Sequence, residues 1–252
     1  MQSTKEGYMD SKSSNPAFSQ KAISRFSVNE VDSKMTVSGS IAKTAYSLAL
    51  LVAAAFYGWT LLPRLGDTVS LWWIGGIAIA AVVMGFVAVF RSNIFTVTGY
   101  AILEGVLIGL ISRQFEAAYD GIVLQAVLLT FSTTLGMLVL FSSGLVTVTK
   151  KLRSVILIAT VGVLLYLVFE FLMVLFNPGF ATVLSTGPLG IGIAAVITLI
   201  AALNLLLDFD FISRGAKEGF SKKAEWYAAF GLLVTLVWLY VSILRLLAAS
   251  RR

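Results

Sequence analysis

Neither cysteine nor histidine occurs anywhere in the 252 residues. Their absence excludes a disulfide framework, a thiolate nucleophile, Ser-His and Cys-His dyads, and the usual His/Cys sites for zinc, haem and iron–sulfur clusters. Charge is scarce as well: Asp, Glu, Lys and Arg make up 13% of the chain, against about 25% in a soluble domain. Apolar residues fill 58% of it and the mean hydropathy is +0.90, which places the chain among membrane proteins before any motif is read. Whatever chemistry it performs rests on carboxylates, Lys and Arg, hydroxyls and backbone carbonyls. Any sensing of pH near neutrality therefore falls to carboxylates.

Residues 1–40 differ in kind from the rest. Ser, Lys, Asn, Asp and Glu dominate them, so they read as a disordered cytoplasmic tail. A secretory signal would need an apolar core within the first 15–30 residues, and that stretch is polar here. Seven apolar stretches follow, near 44–62, 71–90, 94–112, 122–141, 155–176, 189–207 and 226–249. Each approaches the roughly 20 residues that a helix needs to cross about 30 Å of hydrocarbon. The runs are continuously apolar, whereas membrane strands would alternate with period two. The expected fold is therefore an all-α integral membrane domain over 41–252, with a tight hairpin at Arg91–Asn93.

Lys and Arg set the expected orientation. With the N-terminus inside, 14 of the 19 basic residues lie on the cytoplasmic side, in the tail, at Arg91 and in the 142–154 and 208–225 loops. Five lie outside: Arg64, Arg113, Arg245, Arg251 and Arg252. This asymmetry predicts N-in and C-out. It also accounts for the net charge of +6 through contact with anionic lipid, and gives no reason to invoke nucleic acid.

Ionisable groups at membrane depth are costly, so each is a functional candidate. Glu104 lies about ten residues into the third span and precedes Gly105, which with Gly109 makes a GxxxG spacing that admits a second backbone. Two readings stand for Glu104: a packing residue facing Thr133 or Thr134 of the fourth span, or a member of an ion or proton path. Glu170 sits toward the outer end of the fifth span, within reach of water. Glu116 and Asp120 occupy a short external turn, either simply solvated or concentrating cations at a pore mouth. The segment AALNLLLDFDFI (201–212) closes the sixth span. Asp208 and Asp210, two residues apart, point about 200° away from each other on a continuous helix, and Asp208 shares its face with Asn204. Arg91 lies at the same expected depth and is the candidate partner of the inward-facing Asp. The alternative is a solvated helix end with Arg91 snorkelling to the interface.

The order of spans, the LNLLLDFDFI run and the C-terminal EWYAAFGLLVTLVWLYVSILRLL resemble the Bax inhibitor-1 (transmembrane Bax-inhibitor-motif) family in its bacterial form, over residues 41–249. SNPAF and MTVSGSIAKTAYSLALLVA near the N-terminus resemble its actinobacterial branch. The resemblance implies seven helices, with two sandwiches of three around a central C-terminal helix. It also implies a pH-sensitive calcium leak channel in the cell membrane. It maps the family's sixth-helix Asp onto Asp208 and its second-helix Arg onto Arg91. The family's second Asp, midway along the last helix, falls on Thr235 when Arg245 anchors the match. The shared-proton Asp pair of the family is then absent, leaving Thr235 to hydrogen-bond Asp208, or Glu225 or Asp210 to supply a second carboxylate from elsewhere.

Two functions follow as expectations. One is a cation leak channel with Asp208 as gate or coordinating carboxylate and Arg91 as counter-charge. It requires no resident cofactor; oxygen, the one ligand type on offer, suits Ca²⁺ and equally Na⁺, K⁺ and protons, and Ca²⁺ as the transported ion is what the resemblance implies. The other is a non-conducting regulatory protein that docks another membrane complex through its tail and basic loops. No enzymatic activity is expected. A Ser-His intramembrane protease needs the missing His, and a retinal protein needs a Lys in the last span. An aspartyl protease needs Asp residues on two facing helices.

Overall fold

A computed structural model describes residues 34–65, 71–176 and 187–251 of the chain. The expected tail lies, up to residue 33, outside the described residues, as does the loop at 177–186. Among the described residues seven helices run in order: α1 (Val37–Leu65), α2 (Leu71–Phe90), α3 (Ile94–Ala118), α4 (Ile122–Ser142), α5 (Lys150–Phe176), α6 (Gly187–Glu218) and α7 (Ala224–Ser250). Among the described residues there is no strand, only one isolated antiparallel bridge between Lys34 and Ser221. Six of these helices are long and apolar enough to cross a membrane, and α2 adds a shorter apolar stretch over Ile74–Phe90. Large apolar side chains cover the outward faces, with Phe56 73%, Ile158 72% and Phe176 84% exposed. A coat of that extent is unstable against water and natural against lipid.

Two helices exceed their expected lengths by the most, for identifiable reasons. Helix α1 begins at Val37, inside the stretch expected to be tail. The Thr36 backbone N–H donates to Glu225 Oε1 at 2.9 Å, Met35 N–H donates to the Phe220 carbonyl at 2.7 Å, and the Met35 side chain is buried. Helix α6 continues ten residues past Asp208 to Glu218, because Phe209 and Ile212 bury their side chains there and Arg214 bonds Asp210 one turn back. It stops at Gly219, whose φ of +70° is the left-handed conformation that glycine adopts without steric cost. At Arg91–Asn93 the expected tight hairpin is present. Asn93 caps α3, accepting from Phe95 N–H and Thr96 N–H.

Helix α7 is the most buried span and α5 the least. α7 packs against α1, α2, α3, α4 and α6, while α3 packs against α1 and α2, and α6 against α4 and α5. The tightest interface is α1 on α3. A Cβ added to Gly105 or Gly109 would overlap the backbone carbonyls of Leu51 and Ala55, and one added to Gly58 would overlap that of Val106. The GxxxG spacing thus receives α1, not the α4 helix that carries Thr133 and Thr134. Small residues let two backbones meet where no hydrophobic gradient drives helices together.

Candidate functional site

Asp208 projects from α6 onto α7. Its Oδ1 lies 3.6 Å from the position a Cβ on Gly231 would occupy, and Thr235, one turn along, is its hydrogen-bonding neighbour. The Thr235 hydroxyl also reaches the Gly231 carbonyl at 3.1 Å, so its single hydrogen serves either that carbonyl or the carboxylate. Asp208 Oδ2 is buried with no hydrogen-bond partner. Tyr227, two turns down α7 from Thr235, is within electrostatic reach.

Asp210 turns away, as the 200° separation requires. It accepts from Arg153 Nη2 of α5 and from Arg214 Nε at 2.9 Å. One carboxylate between two guanidiniums ties α5 to the end of α6. Asp210→Ala is expected to remove both charge-assisted bonds and to weaken the α5–α6 contact by about 1.5–3 kcal/mol, read as a lower midpoint of thermal unfolding in detergent.

Arg91 is exposed, and no ion pair of Asp208 is found among the described residues. The expected Asp208–Arg91 pairing is therefore not formed here. The physical reason is the helix pairing, since α2 packs on α3 and α7 rather than on α6. Asn204 shares the Asp208 face, and its Nδ2 donates to Thr160 Oγ1 of α5 and to the Ile200 carbonyl, both at 2.8 Å. Glu104 is partly buried beside Tyr100, which stands edge-on to Phe230 of α7 at 5.1 Å. Glu170 reaches Arg245 Nη1 at 3.5 Å, joining the far ends of α5 and α7. Glu116 caps α4 by accepting from Gly121 N–H and Val123 N–H, and Asp120 offers its carbonyl to Arg251.

Glu225 is 1% exposed. It accepts from Thr36 N–H, from the Thr36 hydroxyl and from Lys43 Nζ, while Lys43 also stands 5.2 Å from the centre of the Trp226 ring. Neither Glu225 nor Asp210 therefore supplies Asp208 with a second carboxylate. A carboxylate in the first turn of a helix is favoured by the helix dipole. That signal was present in the sequence; the partner lysine 182 positions away was not. Among the described residues no group of three or more carboxylates gathers to hold a metal.

A bundle of long apolar helices with a lipid-facing surface and a carboxylate buried in its helix seam defines a multi-pass membrane protein. The chain belongs to the Bax inhibitor 1 like family, whose profile matches residues 15–252. No curated protein matches it by sequence.

Proposed function

We propose that this protein is a pH-sensitive cation leak channel of the cell membrane, with Ca²⁺ as the transported ion and Asp208 as the group that meets it. The supporting observation is Asp208 itself: a carboxylate in the α6–α7 seam, with a hydroxyl beside it, no ion pair among the described residues and one oxygen without a partner. An ionisable side chain kept at such cost inside a membrane marks an ion or proton path. The contacts of α7 with both helix groups favour the implied arrangement of two three-helix layers about a central last helix. The basic asymmetry favours N-in and C-out.

Thr235 in place of a second Asp makes the response that of one carboxylate instead of a proton-sharing pair. Reconstituted into liposomes holding a Ca²⁺ dye, the wild type is expected to leak above protein-free vesicles with a dependence on pH, and Asp208→Asn to lose that dependence. Thr235→Asp is expected to turn a one-proton pH profile into a two-proton one. Background flux from wild type and Asp208→Asn alike would overturn the proposal. Together with stable co-purification of a membrane complex that is lost on deleting residues 1–33, it would favour a non-conducting regulatory protein.

A further inference from the structure

We infer that the α6–α7 seam is a water-accessible route from the end of the bundle opposite the N-terminus down to Asp208, walled off at Trp238 in this conformation. The inference deepens the reading of Asp208 as the ion-meeting group, and rests on it, by assigning the side from which small hydrated cations arrive. A cavity of about 320 Å³ opens between α5, α6 and α7 at that end. Its polar lining is Glu170, Arg245, Tyr166 and Ser242, and Trp238 forms part of its wall. A carboxylate paired with a guanidinium at the mouth keeps the entrance polar without a net charge that would repel a cation.

The helix periodicity carries the seam onward. On α7, Gly231, Thr235, Trp238, Ser242 and Arg245 recur at intervals of three and four, and on α6 so do Ala194, Ile197, Ala201, Asn204 and Asp208. Each set makes one face. The cavity takes the outer part of both stripes, and Asp208 with Thr235 takes the next part. Trp238 stands at the junction, one turn from Thr235. It lines the cavity, yet its Nε1 is fully buried and has no hydrogen-bond partner. The indole therefore presents one surface to the cavity and shields its N–H behind. Asp208 Oδ2 is a second partnerless buried atom on the same seam. One is a donor and the other an acceptor, and buried polar groups of this kind are ordinarily satisfied by water. An indole that swings aside would join the cavity to the carboxylate. An adjoining apolar cleft between α5 and α6 shares Tyr166, Ile193 and Ile197 with the cavity, so the competing occupant of the outer cavity is a lipid chain.

The natural absence of cysteine makes single-cysteine labelling free of background. A charged, membrane-impermeant methanethiosulfonate is applied to proteoliposomes on the face opposite the N-terminus. It reacts with the thiolate, which forms in water and not in lipid. Ala194→Cys and Ser242→Cys are expected to react. Thr235→Cys is expected to react at least about tenfold more slowly, and adding Trp238→Ala to remove the difference, since access and thiolate fraction set the rate. Trp238→Phe, which keeps most of the wall, is expected to leave Thr235→Cys protected. Trp238→Leu serves in place of Trp238→Ala if the latter does not elute like the wild type. Inert cysteines at both 194 and 242 would overturn the inference in favour of a lipid-filled cleft, and so would a Thr235→Cys rate unchanged by removal of the indole. Labelling is independent of flux: a wrong reading of Asp208 shows as background leak with the labelling pattern intact, and a wrong route shows as absent labelling with the leak intact.

Discussion

Gly109→Leu is expected to abolish recovery of folded, monodisperse protein, while Gly136→Ala on the same bundle is expected to be harmless. The difference lies in what a new side chain would meet. At Gly109 a Cβ would overlap the Ala55 carbonyl group and the Trp59 backbone N–H, and at Gly105 the Leu51 carbonyl and Ala54. Backbone atoms within a helix cannot rotate out of the way, so α1 and α3 would have to move apart. Overpacking a core of flexible side chains costs about 1–3 kcal/mol, and here the yielding partner is a helix. Separation would also break the bond from Arg113 Nη1 to the Trp59 carbonyl. At Gly136 nothing lies within 4 Å, so alanine there gains roughly 0.5–1 kcal/mol of helix propensity. Size-exclusion profiles and thermal midpoints in one detergent would check both. A Gly109→Leu protein with a wild-type profile and midpoint would show that α1 and α3 do not approach as described.

Lys43→Met is expected to be the most damaging single charge removal, and more damaging than Glu225→Gln. The asymmetry comes from exposure: the Lys43 side chain is 18% exposed and that of Glu225 only 2%. A lysine that loses its partner can extend its ammonium toward the interface along an apolar stem. Glu225 has no such exit, being enclosed by Thr36, Gly39 and Lys43. Removing one partner of a buried pair leaves an uncompensated charge and costs about 3–5 kcal/mol. The Lys43→Met, Glu225→Gln double variant is then expected to be more stable than Lys43→Met alone, with the coupling read from a double-mutant cycle. Equal midpoints for Lys43→Met and the wild type would remove the clamp from the account of how α1 is held to α7.

The channel reading and the clamp bear on each other through α7. Glu225 fixes its first turn to α1, and Glu170 meets Arg245 near its last turn. Between these ends lie Gly231, Thr235 and Trp238, the residues that face Asp208 and the cavity. A helix held at both ends keeps the seam in register, so a loss of leak in Lys43→Met would be read as misplacement of α7 and not as loss of a conducting group.

The amino-acid sequence by itself determined the membrane class, the order of seven apolar helices, the opposed directions of Asp208 and Asp210, and a close backbone approach at Gly105 and Gly109. Those properties follow from composition and from the helix repeat, both local. Span ends were less legible: α1 and α6 run on because Thr36 meets Glu225 and Arg214 meets Asp210, contacts that hydropathy does not register. Which helix fills the glycine groove was undecided in the sequence, and α1, not α4, fills it. The partners of the charges were likewise beyond reach. Arg91 matched Asp208 in expected depth, but depth fixes one coordinate and helix packing the other two, and α2 does not pack on α6. Arg153 took Asp210, Lys43 took Glu225, and Arg245 lies by Glu170. Trp238 shows the limit most clearly: in sequence it is one apolar residue in an apolar helix, and only the packing of α5, α6 and α7 makes its indole a wall between an outer cavity and a buried carboxylate.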